Sequence, residues 1–207
     1  MPNHILYGAP GWGSVIAEAA LTLCRVPYDF EDVSGFDSPG AARERLQAIN
    51  PLVQVPTLLL PNGEVMTESV AIVLLLAEQY PRSGLAPPAG AVERPQFLRR
   101  LVWMTAALYP TWTFEDYPDR WSNDPAVLQL RVGEHRRNLW RSFEAERQGR
   151  AWAIGNEFSA VDIYVSVMTR WRPGRDWFRA ECPTLYAIAR KIDDLETLKP
   201  IWTRNFP

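Results

Sequence analysis

The feature that most constrains this chain is a change of pattern at residues 81–90. Before it, short apolar runs of strand length alternate with helical segments, and after it no strand signal recurs. The stretch itself, Pro81 to Gly90, carries three prolines and two glycines. Such a composition breaks both helices and ladders, so it reads as the linker between two domains.

The segment ahead of the linker has a definite order. His4 to Tyr7 reads as a strand, ended by the turn Gly8-Ala9-Pro10-Gly11-Trp12-Gly13. A helix follows from Ser14, a good N-cap residue, to about Arg25, with Ile16, Ala19, Ala20 and Leu23 on one buried face. Pro27 stops it, and Tyr28 to Val33 is a second strand. Ser38-Pro39 predicts a helix start, leading into Ala41 to Ala48. Thr57 to Leu60 and Glu64 to Met66, joined through Pro61-Asn62-Gly63, form a hairpin, and an apolar helix runs from Ser69 to Gln79. The order is βαβαββα over residues 1–80.

Residues 91–207 read as all helical. Glu93 to Leu108 is one helix, interrupted near Pro110 and resuming to Tyr117; Asp124-Pro125 opens another, to about Arg147. Ser159 with Asp162 three residues on is a capping box. Pro183 begins a helix through about Lys191, and a short final turn precedes Asn205-Phe206-Pro207.

The chain of 207 residues, 47% hydrophobic and 22% charged, has enough apolar material for two cores. A net charge of −2 offers phosphate backbones and anionic lipid surfaces no general attraction, so neither nucleic acid nor membrane is an expected partner. The cysteines, Cys24 and Cys182, and the histidines, His4 and His135, are too scattered for a disulfide framework or a metal cluster. The opening Met1-Pro2-Asn3-His4 is not the start of a secretory leader. The expectation is a cytoplasmic protein without a metal.

The most informative residues are Asn50-Pro51-Leu52-Val53-Gln54-Val55-Pro56-Thr57 and, further on, Thr67-Glu68-Ser69. Together they resemble the glutathione site of the glutathione transferase family. The resemblance covers nearly the whole chain and implies an α/β plus all-α protein: a thioredoxin-like N-terminal domain and an all-helical C-terminal domain. Val55 and Pro56 match the family's valine and cis-proline, where the valine backbone pairs with the cysteinyl part of the tripeptide. A cis bond there turns the Val55 N–H and C=O outward, where a peptide ligand can take them. Glu68 and Ser69 match the pair that binds the γ-glutamyl end. A helix start suits the ligand's carboxylate, and Glu68 accepts from its ammonium. Gln54 matches a position near the glycyl end.

The turn after the first strand departs from the family pattern. A catalytic cysteine of the bacterial beta class falls at Gly13, so mixed-disulfide chemistry is not expected. The thiolate donors left are the hydroxyls of Ser14 and Tyr7, or the backbone N–H groups of Trp12 to Ser14. Trp12, Tyr109 and Trp112 are candidates for the pocket of a hydrophobic substrate. Cys24 reads as inert core and Cys182 as a helix cap. The function implied is a glutathione transferase, with glutathione as co-substrate, a small hydrophobic electrophile as partner and a homodimeric assembly. Alternatives are a non-catalytic binding protein, or a glutathione-dependent isomerase, dehalogenase or disulfide reductase.

Overall fold

The computed structural model describes residues 3–147 and 149–207. It divides into two compact units, Met1–Ala86 with Asp193–Pro207, and Pro87–Ile192.

In the first unit the chain forms β1 (His4–Gly8), α1 (Ser14–Leu23), β2 (Tyr28–Asp32), α2 (Ala41–Ile49), β3 (Thr57–Leu59), β4 (Val65–Met66) and α3 (Ser69–Gln79). The sheet order is β2-β1-β3-β4. β1 runs parallel to β2, with His4 opposite Tyr28, and antiparallel to β3, with Tyr7 opposite Thr57. A parallel pair needs a crossover, and α1 supplies it, with Ser14 to Leu21 all buried. The Asn62-Gly63 turn closes the β3–β4 hairpin, with Gly63 at φ 87° and its N–H on the Leu60 carbonyl at 2.9 Å.

Two starts differ from the sequence expectation. The cap of α2 is Gly40, at φ 148°, and not Ser38, whose own N–H is spent on Gly35 O at 3.0 Å. The chain enters α2 through a conformation that glycine alone adopts easily. Likewise Gly13 caps α1, and Ser14 is already helical.

The last residues also differ from the expectation. A seven-residue helix, Lys199–Asn205, stands where only a final turn was foreseen, and its segment groups with the first unit although 91–207 was read as the helical domain. Its anchor is Glu18 of α1, which is fully buried. Glu18 accepts from Asn205 Nδ2 at 2.9 Å and Tyr28 Oη at 3.0 Å, and pairs with Arg204. A buried carboxylate must be matched in this way. Its partner lies 187 residues away, a distance at which local pattern is silent.

The second unit holds α4 (Arg94–Trp103), α5 (Pro110–Asp116), α6 (Pro125–Glu146), α7 (Ala160–Met168), α8 (Arg175–Glu181) and α9 (Pro183–Asp193); the C-terminal Lys199–Asn205 helix of the first unit is α10. Between α4 and α5 the chain takes a π-helical turn, Met104–Leu108, with Tyr109 N–H reaching Met104 O at 2.9 Å. Pro110 has no N–H for the next rung, so the ladder slips by one residue there instead of breaking. Asp124 caps α6, accepting from Val127 N–H at 3.2 Å. The Ser159–Asp162 box caps α7, with Asp162 accepting from Ser159 N–H and Ala153 N–H, both at 2.8 Å. Burial pushes the Asp162 carboxyl up to about 6. All nine residues of α7 are buried, which makes it the central helix of this unit. Helix α8 was not anticipated; it follows Gly174, at φ 94°, where Trp171-Arg172-Pro173-Gly174 reads as a break. Among the described residues no helix is long and apolar enough to cross a membrane.

Candidate functional site

The loop from Asn50 to Thr57 is held from inside. Asn50 is buried, and its Nδ2 donates to Gln54 O at 3.2 Å and to Thr57 Oγ1 at 3.0 Å. Its Oδ1 accepts from Leu52 N–H at 3.0 Å, and Thr57 Oγ1 donates to Gln54 O at 2.8 Å. These bonds match the Leu52 N–H and the Gln54 carbonyl ahead of Val55 and tie them to the Thr57 side chain beyond it. The Val55 N–H and C=O themselves meet no protein partner among the described residues. The Val55–Pro56 bond is cis. The Val55 side chain and Tyr7 both pack against the cluster of Ala9, Val33, Phe36, Leu46 and Val53. The loop therefore presents one open backbone edge on a rigid base, with the Gln54 side chain exposed beside it. Asn50 and Thr57 were read only as part of the motif; their interior role needs the fold to be seen.

Glu68 and Ser69 stand at the head of α3. Glu68 is exposed, adopts φ 61° and ψ 107°, and makes no side-chain capping bond. A non-glycine residue there costs about 1–3 kcal/mol, which persists where surroundings fix it for a purpose. Its carbonyl accepts from Ile72 N–H at 3.0 Å, which commits this backbone to starting the helix. Ser69 is buried next to it. An exposed carboxylate and a helix N-terminus thus adjoin, offering a negative group and a positive potential a few ångströms apart.

The turn from Gly8 to Ser14 spends most of its polar groups on itself. Ser14 is 1% exposed, and its hydroxyl both donates to Ala9 O and accepts from Ala9 N–H, each at 3.1 Å. A Cβ at Gly8 would meet Ser14 Oγ at 2.7 Å, so glycine is required for this closure. Ser14 was a sequence candidate for the thiol donor; its one hydroxyl hydrogen is already committed inward. Trp12 N–H is spent on Ala9 O at 3.1 Å and Gly11 N–H on Asn205 Oδ1 at 3.2 Å. The amides of Gly13 and Ser14, and the Tyr7 hydroxyl, have no protein hydrogen bond among the described residues. The Trp12 ring is 37% exposed and meets Phe36 edge-on at 5.0 Å.

Residues 6–87 match the family model described as glutathione S-transferase, N-terminal domain. The chain is 46% identical over 201 residues to the uncharacterized GST-like protein YncG of Escherichia coli K12, covering 97% of each. It belongs to the glutathione S-transferase family. Glutathione S-transferase GST-4.5 of Xanthomonas campestris pv. campestris is 28% identical over 171 residues, 80% of this chain and 81% of that one. A sphingomonad glutathione S-transferase complexed with glutathione superposes with a TM-score of 0.79 at 27% identity, covering 96% and 97% of the two chains. The thioredoxin-like domain and the helical domain of this family member are those the resemblance implied, and its enzyme class is that of the glutathione S-transferases.

The aromatic residues of the second unit of this family member were expected to line a pocket, and they differ among themselves. Trp112 is 5% exposed, donates from Nε1 to Arg172 O at 3.0 Å and lies against the Arg136 guanidinium at 4.9 Å. Trp112 is therefore buried within its unit, whereas two aromatic neighbours are half-buried. These are Tyr109 and Trp171, whose rings meet edge-on at 5.6 Å. Trp171 was not singled out in the sequence; no local signal marks it, since its ring contacts with Tyr109 and Trp112 join distant parts of the chain. Cys24 and Cys182 are buried, and burial pushes both thiols up, Cys182 to about 12.

Proposed function

We propose that the first unit binds reduced glutathione and promotes attack of its thiolate on a small hydrophobic electrophile. The observation that carries this reading is the open backbone edge of Val55, in a loop braced by the buried Asn50 side chain and the Thr57 hydroxyl. An extended peptide supplies both missing partners, as strand addition does elsewhere. The cysteinyl part of glutathione takes Val55, its γ-glutamyl carboxylate meets Ser69 and the first amides of α3, and its ammonium meets Glu68. Gln54 serves the glycyl end, and Trp12 borders the ligand. A sphingomonad relative complexed with glutathione supports this choice of ligand.

Thiolate stabilisation falls to the Tyr7 hydroxyl and the amides of Gly13 and Ser14, each a donor without another partner. Hydrogen bonds to the charged form lower a thiol pKa. A two-fold dimer is part of the same proposal, and sedimentation tests it. Calorimetric titration of glutathione into the wild type, Glu68→Gln and Ser69→Ala tests the site. Unchanged affinity in both variants refutes it.

One observation favours a second reading, a protein that binds glutathione without turnover. The Ser14 hydroxyl and the Trp12 N–H, two of the expected activating groups, are consumed within the turn. Turnover against a panel of aromatic halides, enones and disulfides separates the two: no product with any of them selects the binding protein.

A further inference from the structure

The C-terminal helix reaches the turn of Gly11 to Ser14 through one side chain. Asn205, at the end of α10, is 5% exposed. Its Oδ1 accepts from Gly11 N–H at 3.2 Å, and its Nδ2 donates at 2.9 Å to Glu18 Oε2 and at 2.9 Å to Ile201 O. The surroundings fix the orientation of the amide, because two acceptors face one end and a donor faces the other. Gly11 enters the turn and Glu18 lies on the helix that leaves it, so one amide group spans the turn from both sides. Gly11 sits at φ 80°, and a Cβ there would lie 3.4 Å from the Asn205 carbonyl oxygen, so the end of α10 rests against this backbone.

We infer that Asn205 is a positioning residue: it holds the Gly11–Ser14 turn in the geometry that aims the free amides of Gly13 and Ser14 at the glutathione thiol. This rests on the reading of the turn as the thiol-facing element. The chemistry asks for an amide. A carboxylate at 205 would accept from Gly11 but face Glu18 as a like charge, and an aliphatic group would leave a donor and a carboxylate oxygen without their buried partner. Arg204 supplies the natural control. It pairs with Glu18 and stacks on Phe30 at 4.7 Å, so it docks the same helix without touching the turn.

The test compares Asn205→Ala, Arg204→Lys, which keeps the charge on Glu18 while losing the stack on Phe30, and the exchanged pair Glu18→Gln with Asn205→Asp, which restores the contacts to Gly11 and residue 18 though not the bond to Ile201 O. Amide hydrogen exchange over residues 9–16 is followed without glutathione, and the thiolate absorbance of bound glutathione is titrated separately. Asn205→Ala should speed exchange in this segment by about five- to tenfold, the equivalent of one lost hydrogen bond. It should also raise the bound thiol pKa and lower kcat, with the KM for glutathione changing by less than about twofold. Arg204→Lys should leave exchange and thiol pKa at wild-type values, and the exchanged pair should recover part of the protection lost in Asn205→Ala. Unchanged exchange in Asn205→Ala, or an equal rise in Arg204→Lys, overturns the assignment. If the wild type fails to bind glutathione, the proposed function falls, while the exchange comparison still decides whether Asn205 holds the turn.

Discussion

Two turns of the first unit are built by opposite rules. In the loop of residues 50–57, buried side chains brace the backbone ahead of Val55 and leave Val55 itself open. In the turn of residues 8–14, the chain closes on itself through Ser14, Ala9 and Trp12, and among the described residues the amides of Gly13 and Ser14 meet no partner. The first is the design of a binding edge, since the unmatched groups form a strand-like pair for an extended ligand. The second is the design of a rigid support with little polar surface. On the proposed function, the first turn carries the recognition of the tripeptide and the second contributes few donors to its thiol, so strong binding with modest thiol activation is the expected outcome.

The largest effect should come from the support of the first loop. Asn50→Ala removes three hydrogen bonds made by a buried side chain, and each contributes about 1 kcal/mol. Stability in urea should fall by about 2–3 kcal/mol, and glutathione affinity by more than about tenfold. A variant with full stability and full affinity would show that the open edge is not held by Asn50, and the contrast between the turns would lose its basis.

The next effect belongs to the backbone at Glu68. Glu68→Gly relieves a residue held at φ 61° while deleting the carboxylate proposed to meet the ammonium. Relief of about 1–3 kcal/mol is offset by glycine's extra unfolded-state entropy of about 1 kcal/mol, so stability should hold or rise slightly. Glutathione affinity should fall by about tenfold, the worth of a charge-assisted hydrogen bond. Parallel denaturation and calorimetry check both. Lower stability with unchanged affinity would mean that Glu68 serves the fold alone.

The Ser14 and Tyr7 hydroxyls sharpen the comparison from the side of the second turn. Ser14→Ala removes an interior bridge and should cost about 1–2 kcal/mol of stability, with the bound thiol pKa close to that of the wild type. Tyr7→Phe should keep stability and raise that pKa by about one unit, since one hydrogen bond to a thiolate is lost. The sign is fixed by chemistry: a donor favours the charged form, so its loss moves the titration to higher pH. Thiolate absorbance in the two complexes reads this directly. A shift in Ser14→Ala without one in Tyr7→Phe would reverse the roles.

These contrasts also explain what was legible in the sequence. The βαβαββα order and the capping box at Ser159 and Asp162 rest on local signals, such as a proline, a glycine or three-residue spacing, and the sequence carries such signals openly. The cis bond at Val55-Pro56 and the helix start at Glu68-Ser69 were legible for the same reason, as short motifs at element starts. What escaped depends on residues far apart. Asn205 meets Gly11 across 194 positions, and Tyr109 meets Trp171 across three intervening helices, α5 to α7. The inward turn of the Ser14 hydroxyl was invisible as well, because a serine at a helix start caps or bridges according to where the preceding strand ends. Trp112 likewise resembled Tyr109 until burial distinguished them.

The smallest effect on turnover and glutathione affinity should come from the protein's own thiols, and it tests the claim that the turn of residues 8–14 works without one. Cys24 lies at the end of α1 and Cys182 at the end of α8, both buried. Burial is the main cause that pushes each thiol up, Cys182 to about 12, and neighbouring Glu144 pushes the latter in the same direction. A raised thiol pKa means that the thiolate forms only at alkaline pH, so at neutral pH both groups are protonated and poor nucleophiles. The double variant Cys24→Ala, Cys182→Ala should therefore keep wild-type turnover and glutathione affinity, with a stability loss of about 1–3 kcal/mol from the small cavities left in the two cores. Alkylation of the folded wild type by iodoacetamide should be slow at pH 7 and accelerate only well above it. Fast alkylation at pH 7, or a double variant that binds glutathione normally and loses turnover, would place a reactive protein thiol in the chemistry and end the distinction between a binding loop and a thiol-free supporting turn.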